Sequence, residues 1–167
     1  MAATTFSNST LKTDTVLWSG ASPPLLNTMS YSTPSDPIDN TANASQSPIS
    51  YTRGLFRLSF SFGQRLIDNP PTRLGLFIYP ILDGTNLPSP PGGTSVIFPT
   101  SNTKRVEVVL RNGSDTVGQY TVVDFGNAGD PFELGPFKYA FQLYNGTKYP
   151  WLGTLTATLY RWNIVNG

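Results

Sequence analysis

The stretch LFRLSFSF, residues 55–62, decides the fold class of this chain. Its even positions are apolar, and its odd positions from Arg57 onward are polar. Because successive side chains of a strand point to opposite faces, this alternation predicts a β-strand with one buried face and one wetted face. The later stretch 74–82 is apolar at positions of both parities and predicts a strand in the middle of a sheet.

Alternation continues outward from these two stretches and is interrupted by turn dipeptides. Residues 104–110 and 137–143 alternate in the same way. Asn112-Gly113 predicts a hairpin that joins 104–110 to 117–125, and Asn145-Gly146 predicts a second hairpin. With fifteen glycines, fifteen prolines and no helical periodicity, the chain predicts an all-β fold. The architecture we expect is an antiparallel β-sandwich of about eight strands, jelly-roll-like or fibre-head-like.

The last predicted strand, residues 154–164, changes its apolar phase. Apolar residues occupy odd positions up to Leu159 and even positions from Tyr160 onward. Such a change predicts either a β-bulge, in which one extra residue re-aims the side chains that follow it, or a strand that changes neighbours.

Residues 1–50 differ in composition from the rest of the chain. They are rich in Ser, Thr, Asn and Pro, and their β-prone run is TDTVLW at 13–18. Five prolines between 21 and 50 argue against a helix or a central strand there. We therefore predict an N-terminal arm at 1–50, with a short strand at 13–18, and a sandwich domain at 51–167. Because a long structureless segment needs a surface to order it, the arm is expected to lie on a neighbour in a homo-oligomer, with a trimer favoured.

Missing residue types exclude most catalytic chemistry. The chain has no cysteine and no histidine, which removes thiolate nucleophiles, histidine-based triads and the commonest metal ligands. Charged residues make up 13% of the chain and the net charge is +1, so the electrostatic footprint of a nucleic-acid partner is missing. No apolar run approaches the ~20 residues that cross a bilayer as a helix. We predict a non-enzymatic protein with no catalytic residues, no metal site and no cofactor.

Two aromatic residues near the second predicted turn are the best candidates for binding. Tyr149 and Trp151 flank Pro150, and an exposed ring there would be a platform for the apolar face of a sugar or for a neighbouring subunit. Core packing at a sheet corner is the alternative interpretation of these rings. Asn145 belongs to the same predicted glycan-binding segment and also begins a glycosylation sequon, although its residues are equally ordinary in turns.

Two arginines complete the predicted glycan-binding site. Arg105 and Arg111 share one arm of the first predicted hairpin, one face of which is expected to be wet. A guanidinium there can form a forked pair with a carboxylate such as that of an acidic sugar. Solvated charges that discourage the pairing of edge strands are the alternative interpretation.

The segment VLWSG, from Val16 to Gly20, resembles the junction between shaft and head in adenovirus fibre proteins, whose pattern there is close to T-L-W-T-G. The stretches LFRL at 55–58, LGLFIY at 74–79 and DGTNL at 83–87 follow in the order in which fibre heads carry their next strands and turn. The resemblance implies an antiparallel sandwich that trimerises on the surface of a virion. It also implies attachment to a host-cell receptor or glycan.

Two other functions fit the same sequence. A jelly-roll capsid or decoration protein of a small virus or phage would show the same strands and the same proline-rich arm, and its partners would be neighbouring capsid subunits. The absence of a basic arm argues against contact with a genome but not against an outer decoration protein. A non-viral lectin or adhesin is the third interpretation.

Overall fold

The computed structural model describes residues 11–21, 23–41, 50–62, 72–85, 104–110, 120–127, 129–147 and 150–163. Within these residues the chain forms strands and no helix, which confirms the predicted all-β class. The ten strands are β1 (Lys12–Thr15), β2 (Ser30–Tyr31), β3 (Ile38–Asp39), β4 (Arg53–Phe62), β5 (Thr72–Ile81), β6 (Lys104–Leu110), β7 (Tyr120–Phe125), β8 (Phe132–Glu133), β9 (Lys138–Gly146) and β10 (Trp151–Trp162). Three of them, β2, β3 and β8, have two residues each, and sequence periodicity does not detect strands this short.

The strands form two antiparallel sheets of five. Sheet 1 has the order β1-β10-β4-β7, with β8 also paired to β4, and sheet 2 has the order β2-β9-β5-β6, with β3 also paired to β9. The predicted antiparallel β-sandwich is confirmed. The rings of Phe56 from sheet 1 and Phe141 from sheet 2 meet in the core with centroids 5.2 Å apart.

The pairing of the strands is nested. Strands β2 and β3 both pair with β9, so we count them as one strand position. The two-residue strand β8 only adds to the end of β4 and is left out, so the ten strands give eight positions in chain order. The first position pairs with the last (β1 with β10), and the second pairs with the seventh (β2 and β3 with β9). The third pairs with the sixth (β4 with β7), and the fourth pairs with the fifth (β5 with β6). This order is that of a jelly roll, in which the chain is wound as a folded hairpin.

The stretches 55–62 and 74–81 form strands that are buried as their sequence patterns predict. In β4, the even positions Phe56, Leu58 and Phe60 are fully buried between the sheets. Strand β5 lies between β9 and β6, and it is buried on both faces along residues 74–79. The turn after it is also observed, with Gly84 at a φ of +74°. Residues 95–98, whose sequence SVIF also predicts a short strand, lie outside the described residues.

The two predicted hairpins are wrong. Strands β6 and β7 belong to different sheets, and so do β9 and β10. Asn145 and Gly146 lie inside β9, where they pair with Leu74 and Arg73, while Asn112-Gly113 lies outside the described residues. An Asn-Gly dipeptide favours a local reversal, but the nested order makes the chain change sheets here instead of returning beside the strand it left.

The position of the irregularity in β10 also differs from the expectation. The register with β4 is unbroken from Thr156 to Trp162, and the shift lies earlier, between Leu152 and Thr156. Arg161 keeps the inward phase and is 1% exposed, so Tyr160 and Trp162 are aromatic residues on the outer face. The sequence suggested a change of phase because an inward-facing arginine looks polar and therefore exposed.

The described part of the N-terminal arm belongs to the sandwich. Strand β1 is an edge of sheet 1, and β2 and β3 pair with β9 in sheet 2, so the described strands of residues 11–41 pair with strands of the predicted sandwich domain. After β1, Ser19 and Gly20 form a tight turn with φ values of 51° and 74°. The Asp36 carboxylate accepts hydrogen bonds from both of their N–H groups, at 2.8 and 2.6 Å.

Proline explains why β2 and β3 are two short strands. Pro34 and Pro37 lie between them and cannot donate to a ladder. Two buried serines maintain the pairing with β9 across the gap. Ser32 and Ser35 donate their backbone N–H groups to the carbonyls of Leu143 and Phe141, and their hydroxyls accept from the N–H groups of the same two residues at 2.9 Å.

Candidate binding surface

Trp151 lies in the core and not on a loop surface. Its side chain is 1% exposed, and its indole stacks on Phe60 with centroids 4.9 Å apart and planes inclined by 28°. The backbone N–H of Trp151 donates to the carbonyl of Leu26 at 2.9 Å. The core-packing alternative is therefore what the structure shows, and this ring has no free face for a sugar.

Asn145 is fully buried, and its side chain hydrogen-bonds the segment before β2 to the residues that follow β9. Its side-chain amide donates to the carbonyl of Asn27 at 3.1 Å, and its Oδ1 accepts from the N–H and the hydroxyl of Thr147, at 3.0 and 2.7 Å. In the folded chain, the nitrogen that would carry a glycan in this sequon is inaccessible. The turn chemistry expected for these residues therefore serves the junction between Leu26–Asn27 and β9.

The remaining candidates divide between described and undescribed residues. Tyr149 and Arg111 lie outside the described residues. Arg105 lies on β6, on the outer face of sheet 2, and its side chain is 46% exposed. The structure thus separates Arg105 from Trp151 and Asn145, because Arg105 lies on the outer face of sheet 2 whereas the side chains of Trp151 and Asn145 are buried.

Arg105 belongs instead to a cluster of aromatic side chains on the outer face of sheet 2, which we call the aromatic–arginine patch. Its members come from four strands: Tyr31 (β2), Tyr144 (β9), Phe77 (β5), and Arg105 with Glu107 (β6). The rings of Tyr31 and Tyr144 lie 4.5 Å apart, and those of Tyr31 and Phe77 lie 5.6 Å apart. The Arg105 guanidinium lies over the Phe77 ring, 5.6 Å from its centroid. Both tyrosines are half-buried, so part of each ring is accessible.

Two glycines let the Tyr144 ring lie along the sheet. A Cβ at Gly75, which pairs with Tyr144, would approach the Tyr144 Cβ to 3.2 Å. A Cβ at Gly146 would approach the Tyr144 Cε1 to 2.8 Å and the Arg73 carbonyl oxygen to 2.6 Å. A larger residue at Gly146 would therefore displace the Tyr144 ring or the Arg73 backbone, while one at Gly75 would require a shift of a few tenths of an ångström.

The electrostatics of the patch combine positive charge with hydrogen-bond donors. Glu107 forms ion pairs with Arg105 on its own strand and with Arg73 at 3.8 Å, so two guanidinium groups share one carboxylate. Burial raises the pKa of Tyr31, with a smaller contribution from Tyr144 in the same direction. The Tyr31 hydroxyl is therefore protonated at neutral pH and available as a donor. The patch thus offers flat apolar rings beside charged hydrogen-bonding groups, which is the combination that sugar recognition requires.

One member of the patch, Arg105, is among the residues that the sequence predicts to bind a glycan. Tyr144 could have been predicted from the sequence. The core residues of β9 occupy odd positions up to Leu143, so the even position 144 belongs to the outer face. Tyr31 carries no such signal, since it lies in a proline-rich segment without periodicity. It joins the patch only through the pairing of β2 with β9.

The outer face of sheet 1 has a comparable arginine, but its surroundings differ. Arg57 forms a forked ion pair with Asp124, with both N···O distances at 2.7 Å, and lies 5.7 Å from the centroid of the Tyr160 ring. One carboxylate satisfies this one guanidinium, and no pair of stacked aromatic rings accompanies it among the described residues. Arg57 and Tyr160 therefore provide matched controls for the patch.

Among the described residues, no group of three or more acidic side chains is placed to hold a metal ion. No helix in this part of the chain is long and apolar enough to cross a membrane. Comparison of the chain with protein-family models, with curated proteins and with solved structures finds no match. The interpretation of the patch therefore rests on its own geometry.

Proposed function

We propose that this chain is a non-enzymatic virion surface protein that attaches the particle to a host-cell glycan or glycosylated receptor through the aromatic–arginine patch. The observation that carries the proposal is the half-buried pair Tyr31 and Tyr144 beside the exposed Arg105. The virion assignment rests on the resemblance of the Val16–Gly20 segment to fibre proteins. The jelly-roll order supports it too, since this architecture recurs in viral capsid and lectin domains.

The chemistry of the patch suits a saccharide. The C–H face of a sugar ring is apolar and packs against an aromatic ring, while its hydroxyls need donors and acceptors at the edge of that ring. Arg105 supplies donors and Glu107 supplies acceptors at the β6 side of the patch. Binding at one site of this size is weak, so attachment of a particle would depend on several copies acting together.

A glycan array with matched variants tests the proposal. We expect wild-type protein to bind a subset of glycans, and Tyr31→Ala and Arg105→Gln to weaken that binding about tenfold or more, as for the loss of ~1.4 kcal/mol. The matched controls are Tyr160→Ala and Arg57→Gln on the opposite sheet, which should bind as wild type does. Melting temperatures of all four variants establish that they are folded. Failure of the wild type to bind any glycan or cell surface would contradict the proposal.

The strand order supports a second candidate function, that of a capsid or decoration protein whose partners are neighbouring coat subunits. In this case the jelly roll would be a building block, and its outer faces would contact other copies or a shell. Electron microscopy of concentrated protein distinguishes the two functions. Closed shells or occupancy on a particle lattice would favour the coat protein, and discrete small oligomers that bind glycans would favour attachment.

A further inference from the structure

Strand β6 is an edge of sheet 2. One of its sides pairs with β5 along its whole length, from Lys104 to Leu110, and among the described residues no strand pairs with the other side. The seven-residue strand contains no proline or glycine. An open edge of this kind presents unpaired N–H and C=O groups and is a template for another strand.

The charges of β6 are complementary to themselves in one register. When two copies of the strand pair antiparallel about a two-fold axis through Val106, Arg105 of each copy lies opposite Glu107 of the other. Opposite residues share a face, so both pairs lie on the outer face, where Arg105 and Glu107 are exposed. Sliding the strands by two residues one way places Arg105 opposite Arg105, and the other way places Glu107 opposite Glu107.

We propose that β6 pairs with β6 of a second copy of this chain across a two-fold axis at Val106, so that the two copies of sheet 2 become one continuous sheet. The half-buried Val106 and Val108 face the core side of that junction, and the charged pairs cover its outer side. This two-fold contact replaces the role expected for the N-terminal arm, because the described part of the arm packs on its own chain. The proposal does not depend on glycan binding.

The pairing has a geometric consequence for the outer face. Adjacent strands lie ~4.8 Å apart, so three strand spacings separate β5 of one copy from β5 of the other, or roughly 14 Å. The two aromatic–arginine patches would lie side by side on the same face of the joined sheet.

A single introduced cysteine tests the register, because the chain contains none of its own. Directly opposed residues of an antiparallel pair have Cα atoms about 4.5–5.5 Å apart, which is within disulfide range. We expect Val106→Cys to form a covalent dimer under mild oxidation, as seen on a non-reducing gel. The matched control is Val108→Cys, on the same strand and face, where the two copies would be roughly 14 Å apart and should not cross-link.

Charge reversal provides a second measurement, read by sedimentation and not by glycan binding. Arg105→Glu and Glu107→Arg should each weaken wild-type dimerisation about tenfold or more, because each places like charges opposite one another. The double variant R105E/E107R should restore it. A wild type that stays monomeric at ~100 μM, a closed trimer, or equal cross-linking of the two cysteine variants would each overturn the proposal.

Discussion

The guanidinium of Arg161 lies 2.7 Å from the carboxylate of Asp14 and joins β10 to β1 inside one end of the sandwich. The same side chain donates to the carbonyl of Asp39 at 2.8 Å and to Oδ1 of Asn40 at 2.9 Å, which connects sheet 1 to the end of β3 in sheet 2. Its planar group also lies 5.2 Å from the centroid of the Tyr51 ring. One buried arginine therefore satisfies groups on both sheets.

Removing either member of this ion pair should destabilise the fold, and by unequal amounts. We expect Asp14→Asn to cost about 3–5 kcal/mol, because it leaves the buried Arg161 guanidinium without an ionic partner. Arg161→Met should cost less, because the remaining Asp14 carboxylate is 20% exposed and also lies 3.8 Å from the Lys12 ammonium. The double variant should lose clearly less free energy of unfolding than the two single variants lose together, because it has no buried guanidinium without an ionic partner. Chemical denaturation of the four proteins measures the cycle, and strictly additive losses would show that the two side chains are not coupled.

Trp151 should behave as a core residue. We expect Trp151→Ala to cost about 3–5 kcal/mol, as for other large aromatic truncations in packed cores. Trp151→Phe should cost less, because the indole N–H has no hydrogen-bond partner within the described part of the chain. Thermal denaturation measures both, with Tyr160→Ala on the outer face as the control. A Trp151→Ala variant as stable as this control would contradict the burial of the indole.

The two serines that bridge β2 and β3 should matter more than their size suggests. Ser32→Ala and Ser35→Ala each deprive an N–H group of β9 of its acceptor, and a buried unsatisfied donor costs about 1–3 kcal/mol. The matched control is Ser30→Ala, because the Ser30 hydroxyl is exposed and donates to the Asn27 carbonyl. Urea denaturation should separate the two buried positions from the control, and three equal midpoints would contradict the bridging role.

Alkaline pH should weaken the fold through Tyr79. Burial raises the pKa of Tyr79 to about 12 from 10.0, and its hydroxyl donates to Oε1 of Gln142 at 2.7 Å. Because the folded-state value is the higher one, the stabilisation is complete below pH 10 and is lost as pH rises through 12. Between pH 10 and 12, the free energy of unfolding of Tyr79→Phe should therefore fall by up to ~3 kcal/mol less than that of the wild type. Denaturant titrations at pH 8, 10, 11 and 12 measure how the free energy of unfolding of each protein changes with pH. The wild type and the variant would show the same change if the phenol were solvated.

Local patterns predicted the strands, and the structure confirms them where burial alternates. Strands β4 and β5 follow from their own residues, because the parity of each side chain fixes its face. The partner of a strand is a non-local property. The Asn145-Gly146 dipeptide has the composition of a hairpin turn, yet its residues pair with β5, a segment about seventy positions away in the chain.

Side-chain identity is a poor guide to burial where a polar residue is buried by partners that lie far away in the sequence. The apolar phase of residues 154–164 seemed to change at Tyr160 because the acceptors of the buried Arg161, Asp14 and Asn40, come from segments far away in the chain. The patch could not be predicted as a whole for the same reason. Its rings come from β2, β5 and β9, and only the paired sheet places Tyr31 beside Tyr144.

The pairing of β1 with β10 has a consequence for the order of events during synthesis. Asp14 and Arg161 are 147 positions apart, so the first edge of sheet 1 has no partner until almost all of the described chain has left the ribosome. The nested order extends this delay inward, and only β5 and β6 can pair early. Loop closure over such separations is slow and leaves hydrophobic strands unprotected meanwhile. The nascent chain should therefore need shielding by chaperones until β10 emerges, and the sandwich should close in a single late step.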